Sequence, residues 1–386
     1  MMWLLPLVVL QAPPESGPFA PDSLRATIEK LSSWNTRNTS TPELGQAADW
    51  VADQFRAIPA AQVEIIPYQV IKGPRVPIDR QIVEVIARFP ATTAAPEPGT
   101  IVMGGHLDSI NMTPGADVFT ARAPGANDDG SGVAATLATA RWMATQSHSH
   151  PLMFVAFSGE EQGLLGSEAL AERAAKEGWN LDAVLSNDMI GNSQNLAGQK
   201  DSKHVRLFSE EGTTTQSREL ARFIEWLART SGPKGHGVKL VFRSDRFGRG
   251  GDHSSFNKNG FTAVRFVDVN EEYSRQHTPN DLPEFVDYDY LSKNARLNAT
   301  VVDSLANAAP QPTRVRQDRR QNHDSTLTWV ATPGVKYVVY WRATTSPTWE
   351  HFKAVGEVNT SAFKLVSKDD NVFAVGAEGG IPVEAR

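Results

Sequence analysis

The chain has 386 residues, 40% hydrophobic and 21% charged, enough to build one large domain and a small one around a sizeable core. Its formal net charge of -6 leaves no basic surplus to neutralise phosphates, so nucleic acid is not an expected partner, and no polybasic run points to a membrane surface. Cysteine is absent, which excludes disulfides and thiolate metal sites and leaves His, Asp and Glu to carry any metal.

The opening MMWLLPLVVLQ is an apolar run too short to span a bilayer, followed by Ala12, two prolines and a polar stretch. Residues 1–20 are read as a signal-peptide-like segment without a positively charged start, and a buried N-terminal segment is the alternative. A periplasmic or secreted location is therefore expected, with no integral membrane segment in the mature chain. Residues 21–34 and 41–58 carry apolar positions at helical spacing, the second run opening Thr41-Pro42-Glu43 as an N-cap and a first-turn proline. Strands are expected over 63–70, 81–89 and 99–105. After these come helix 132–145, strand 152–157, helix 164–176, strand 183–189, helix 215–231, strands 239–243 and 263–267, and helix 288–308. Strands separated by helices of this length argue for an α/β/α sandwich around a mainly parallel mixed sheet, over residues 21–309.

Composition shifts at Ala309-Pro310-Gln311-Pro312, and 310–320 reads as a linker. Short strand-like runs at 326–331, 337–343, 351–355, 362–366 and 372–377 then predict a small β-sandwich over 321–386. This segment resembles the C-terminal part of a fibronectin type III module, with Trp329 and the Tyr337–Trp341 run at core aromatic positions.

Five segments carry candidate chemistry. Gly104-Gly105-His106-Leu107-Asp108-Ser109 ends a strand-like run, where α/β sheets gather ligands. With i and i+2 on one side of an extended backbone, Asp108 is placed to accept the second ring N–H of His106 and fix its tautomer, although a surface turn also fits. Gly125-Ala126-Asn127-Asp128-Asp129-Gly130-Ser131-Gly132 leads into an Ala-rich helix. Helix capping accounts for either aspartate, but the three flanking glycines suggest a bend that aims one carboxylate inward. Glu160-Glu161 follow the most apolar strand, so one can bind metal while the other faces substrate, with an exposed acidic turn as the alternative. Asp188 sits in an otherwise apolar strand and needs a cation or several donors. His277, in Arg275-Gln276-His277-Thr278-Pro279-Asn280-Asp281, reads alone as a loop histidine. Together the five suffice for two metal ions sharing one carboxylate.

The ordered set HLDS, GANDDGSG, FSGEEQGLLGS, NDMIGN and HTPND resembles the zinc aminopeptidase family known as peptidase M28, over about residues 23–308. The resemblance implies a zinc exopeptidase-like fold and two Zn2+ per chain. It implies His106, Asp128 and Asp188 on the first ion, Asp128, Glu161 and His277 on the second, Glu160 as general base, and a cis peptide after Asp128. Asp108 joins Glu160 among the expected catalytic residues. Gln276 stands where some family members place a tyrosine. In the run 243–256, Arg249 and His253 are candidates for substrate contact, with Arg246 beside them, and ordinary surface charge is the alternative. The expected activity is aminopeptidase action on a peptide substrate. A dipeptidase or carboxypeptidase, a glutaminyl cyclase relative, or a non-catalytic binding or adhesion relative are the alternatives. No candidate ligand lies beyond His277, so the segment from about residue 314 is expected to be dispensable for chemistry.

Overall fold

The computed structural model describes residues 11–73, 75–95, 98–210, 216–244, 250–320 and 323–386. Half of the signal-like segment, residues 1–10, lies outside them. Among the described residues no helix is long and apolar enough to cross a membrane.

The first helices, α1 (Pro21–Leu31) and α2 (Pro42–Arg56), each begin with a proline, whose missing N–H is no loss in a first turn. Leu24, Ile28 and Leu31 form the buried stripe of α1, and Leu44, Ala48, Val51 and Phe55 that of α2. Thr41 does not cap α2; its hydroxyl donates to the Asn38 carbonyl at 3.0 Å.

Next come β1 (Gln62–Val70), β2 (Arg80–Phe89), β3 (Thr100–His106), α3 (Gly130–Met143), β4 (Leu152–Phe157), α4 (Leu165–Glu177) and β5 (Leu181–Asn187). They are followed by β6 (His204–Ser209), α5 (Ser217–Thr230), β7 (Gly237–Val241), α6 (Asp252–Lys258), β8 (Ala263–Asp268) and α7 (Tyr288–Ala306). The eight strands form one sheet in the order β1-β2-β4-β3-β5-β8-β6-β7. Pairs β4–β3, β3–β5, β5–β8 and β6–β7 are parallel, and the remaining three are antiparallel. Helices α1, α2, α3, α5 and α7 cover one face, and α4 and α6 the other. Because both faces of β4 are covered, all six of its residues are buried, which explains its unbroken apolar run.

Two elements escape the sequence pattern. β6 carries His204 and Arg206, and α6 is too short to show helical periodicity. The strand expected over 183–189 ends instead at Asn187, so Asp188 lies just past the sheet, before Met189 at φ 57°. The N-terminal stretch is stitched to α7: Ser292 Oγ donates to the Phe19 carbonyl at 2.7 Å and Arg296 Nε to the Pro13 carbonyl at 2.6 Å.

The C-terminal part holds β9 (Thr313–Gln317), β10 (Ser325–Val330), β11 (Tyr337–Ala343), β12 (His351–Gly356), β13 (Thr360–Phe363), β14 (Asn371–Ala377) and β15 (Val383–Glu384). They form two antiparallel sheets, β13-β10-β9 and β12-β11-β14-β15. The stretch read as a linker thus contains a strand, β9, paired with β10. Along β11 the side chains alternate between two cores. Tyr337 and Val339 join Trp329 inside the sandwich, whereas Val338 and Tyr340 join the core of the catalytic layer.

That second contact seats the sandwich on α5. Trp226 of α5 meets Tyr340 edge-on at 5.3 Å between centroids and Phe352 at 5.5 Å, and Trp349 is fully buried. Arg222 Nε donates to the Pro347 carbonyl at 3.0 Å and Arg229 Nη2 to that of Trp349 at 2.6 Å. The catalytic layer therefore completes its surface with the sandwich.

Candidate metal centre

The parallel strands β3, β4 and β5 end side by side, with His106 opposite Phe157 and Gly105 opposite Asn187. Their exits bring His106, Glu160 and Glu161, and Asp188 to one edge of the sheet. Asp128 reaches the same edge from the turn before α3, and His277 from the loop after β8. Close approach explains the glycines here. A Cβ on Gly105 would lie 2.7 Å from the Gly132 carbonyl carbon, and one on Gly132 would lie 2.3 Å from Asp129 Oδ2. Of the three glycines flanking the aspartate pair, Gly125 has a positive φ, 55°. The Asp128–Asp129 peptide is cis.

Asp128 faces two ways. Its Oδ1 lies 3.0 Å from His106 Nε2 and its Oδ2 lies 3.1 Å from His277 Nε2. Asp188 Oδ1 is 3.8 Å from His106 Nε2, and Glu161 Oε2 is 3.1 Å from His277 Nε2. Two groups result, His106/Asp128/Asp188 and Asp128/Glu161/His277, each with ligand atoms within 4.8 Å of one another. The buried His106 Nε2 and Glu161 Oε1 make no hydrogen bond, which for polar atoms out of water is costly unless a cation takes them. Imidazole and carboxylate donors so arranged fit zinc.

Electrostatics agree with this reading. Burial disfavours charge on both imidazoles, but Asp108, Asp128 and Asp188 hold His106 well above the ordinary imidazole range. Against the same burial, Glu161 and Asp128 push His277 up to about 11. The site is built to attract cations. Asp188 also pairs with buried Arg265, Oδ2 to Nη2 at 2.9 Å. Glu160 belongs to neither ligand group; burial, Asp188 and Glu161 together push its carboxyl well above the usual range, with His106 opposing.

Asp108 does not act as the sequence spacing suggested. The ring nitrogen Nδ1 of His106 lies 3.1 Å from the backbone carbonyl of Asp108 and 3.6 Å from its Oδ1. A carbonyl can only accept, so Nδ1 carries a proton, which leaves Nε2 as the nitrogen a metal would take. The Asp108 carboxylate instead accepts three consecutive backbone N–H groups, from Gly159 at 2.9 Å, Glu160 at 3.2 Å and Glu161 at 3.1 Å. It acts through the backbone of the glutamate pair.

Three further residues support the ligand loops, and Asp281 and Arg37 among them had no role assigned from sequence. Asp281 accepts the N–H groups of Asn127 and Asp128, each at 2.9 Å, and so ties the loop of His277 to the loop of Asp128. Fully buried Arg37 donates to the carbonyls of Leu107 at 2.6 Å, Leu31 at 2.9 Å, Pro124 at 2.5 Å and Gly125 at 2.9 Å, clamping both ligand loops. Asp129 accepts from His106 N at 3.0 Å, Gly132 N at 2.9 Å and Met189 N at 3.0 Å, so the cap reading fits Asp129 while its neighbour Asp128 faces the imidazoles.

The candidate substrate contacts fare differently. Arg249 and Arg246 lie outside the described residues. His253 is fully buried in α6, with Nε2 3.4 Å from Glu210, so it does not present itself to a substrate. Gln276 donates from Nε2 to Asp128 Oδ2 at 2.9 Å, beside the shared carboxylate.

Fold and site together define a zinc exopeptidase-like α/β/α protein. The chain belongs to peptidase family M28, whose sequence model matches residues 84–302. It is 35% identical to a probable zinc metalloprotease of Pyricularia oryzae, over 94% of this chain and 81% of that one. Among solved structures, the LapA aminopeptidase of Legionella pneumophila superposes with a TM-score of 0.58 at 20% identity, covering 76% of this chain and 73% of its own. The Porphyromonas gingivalis glutaminyl cyclase superposes with 0.57 at 18%, covering 74% and 98%. At such identities the likeness is one of fold.

Proposed function

We propose that the chain is a zinc metallopeptidase that binds two zinc ions and removes N-terminal residues from peptides. The observation that carries this reading is Asp128, whose two oxygens address two separate imidazoles while Glu160 stands outside both ligand groups. The family membership and the names of the relatives support it. His106, Asp128 and Asp188 would hold one ion, and Asp128, Glu161 and His277 the other. Bound zinc polarises a carbonyl and makes water a stronger acid.

The chain's own residues supply the rest. Glu160, which belongs to neither ligand group, accepts a proton from the attacking water and delivers it to the leaving amine nitrogen. Asp108 holds Glu160 and Glu161 in register through their N–H groups, and Arg265 orients Asp188. A free substrate α-amine suits an edge so rich in carboxylates, which favours reading the N-terminal end. Export to the periplasm or medium completes the proposal, and N-terminal sequencing of the protein recovered from those fractions checks it.

Purified protein should contain two zincs per chain and cleave leucine amide but not its N-acetylated form. Cleavage of blocked peptides would turn the reading towards a dipeptidase or carboxypeptidase. Fewer than two zincs with no cleavage of any peptide would favour a non-catalytic relative.

A further inference from the structure

The catalytic layer distributes its exposed apolar side chains unevenly. Six large ones are exposed among its described residues: Ile71, Ile78, Met112, Leu196, Tyr273 and Phe285. Single exposed apolar residues are ordinary, and an unbiased scatter would place some at each end of the sheet. All six lie at the metal-bearing edge. Met112 follows β3, Leu196 follows β5, and Tyr273 and Phe285 follow β8 on either side of His277. Ile71 and Ile78 lie in the connection from β1 to β2. Since β2 runs antiparallel to β4, with Val85 opposite Ala156, this connection sits beside the exit of β4 that carries Glu160 and Glu161.

Direct bonds join this rim to the centre. Arg75, in the same connection as Ile71 and Ile78, donates to the carbonyl of Glu161 at 2.8 Å. The N–H of Met112 donates to the carbonyl of His277 at 2.8 Å. Ile71 is 79% exposed and Leu196 78%, so most of their surface remains available for burial. The rim is continuous with the ligand loops, and a chain whose end is held at the metal ligands must leave across it. Charged Lys72, Asp79 and Arg75 interrupt the apolar residues, so the rim offers polar partners for a peptide backbone beside its apolar surface.

We propose that this rim is a binding surface for the substrate chain beyond the cleaved bond, and that it selects peptides with apolar residues there. The proposal rests on the peptidase reading and adds a substrate class to it: free N-terminal peptides several residues long and apolar downstream, rather than single amino-acid amides or polar peptides.

The experiment uses the zinc-loaded full chain and three substrates: leucine amide, and two leucyl pentapeptides of equal length, one with apolar and one with Ser/Asn/Gly residues downstream. The apolar pentapeptide should show a kcat/KM about tenfold or more above the polar one, chiefly through KM, as expected for burying two or more apolar side chains. The variant Ile71→Ser/Ile78→Ser should bring the two pentapeptides within about twofold of each other, with leucine amide turnover and zinc content unchanged. Leu196→Ser, in a different loop, should give a smaller loss in the same direction. Binding is read separately, by fluorescence anisotropy with a labelled N-acetylated apolar pentapeptide, and should weaken in the double variant. If no substrate is cleaved yet the labelled peptide binds in a rim-dependent way, the peptidase reading fails and the rim stands. Equal kcat/KM for the two pentapeptides in the wild-type chain would overturn the proposal. So would a double variant that slows amide and peptide alike, or sedimentation showing a dimer that the double variant dissociates.

Discussion

The metal-bearing edge and the face of α5 that receives the sandwich both draw buried side chains from distant parts of the sequence, but of opposite chemistry. At the α5 face, ring meets ring and the arginines reach carbonyls, so apolar burial dominates even though the ring N–H groups of Trp226 and Trp349 are left without a hydrogen bond. At the metal edge, His106 Nε2 faces only carboxylates, Glu161 Oε1 is buried without a hydrogen bond, and the carboxylates outnumber the cations that face them. One region is held by apolar rings, the other gathers ionisable groups. Stability should depend mainly on the first and activity on the second.

The largest test of this contrast is truncation after Ala308. It uncovers Trp226 and removes Tyr340 and Trp349, each such fully buried ring being worth about 1.5–3 kcal/mol. The shortened chain should fail to give a soluble, cooperatively melting protein, and a truncated form that melts like the full chain would break the contrast. Next in size is Glu160→Gln, which should retain both zincs and the wild-type Tm while kcat falls by about 10²–10⁴-fold. Its neighbour should behave differently: Glu161→Gln should lose zinc at the second site, because a neutral amide is a poor ligand. Zinc content and kcat measured together distinguish the two.

A third prediction concerns pH. Without metal, both His106 and His277 hold protons throughout the neutral range, so filling both sites releases two protons. Zinc affinity should therefore rise with pH, by about tenfold per unit for each ion while these imidazoles remain protonated, and fall as pH drops. Competition with a chelator of known affinity between pH 6 and pH 8 reads the slope; a flat profile would show that the imidazoles are not the groups displaced. The smallest effect is expected for Asp281→Ala, which unties the Asp128 loop from the His277 loop. Zinc binding at the second site should weaken about tenfold, in the range of second-shell substitutions, with the first site spared.

Much of this was legible in the sequence because strand ends and glycines are local signals. The runs before His106 and Glu160 announce buried strands, and Gly105 and Gly132 mark a close contact that any side chain would block. The roles of Asp108, Asp281 and Arg37 were not legible. Each is spent on backbone N–H or carbonyl groups of a distant segment, and a backbone partner leaves no trace in residue type. Arg37 is the extreme case, a buried cation whose guanidinium donates to four carbonyl oxygens, so no complementary acid advertises it. The sandwich interface hid for another reason. Tyr337–Trp341 reads as an unbroken apolar and aromatic run, and only the alternation of Tyr337 and Val339 with Val338 and Tyr340 between two cores shows that it serves two domains.

The bonds from Ser292 to Phe19 and from Arg296 to Pro13 span 273 and 283 positions of sequence. During synthesis the first helices leave the ribosome long before the helix that fastens them, so the catalytic layer cannot close progressively from its N-terminus. High contact order of this kind predicts folding that is slow and that exposes apolar surface to chaperones until most of the chain is made.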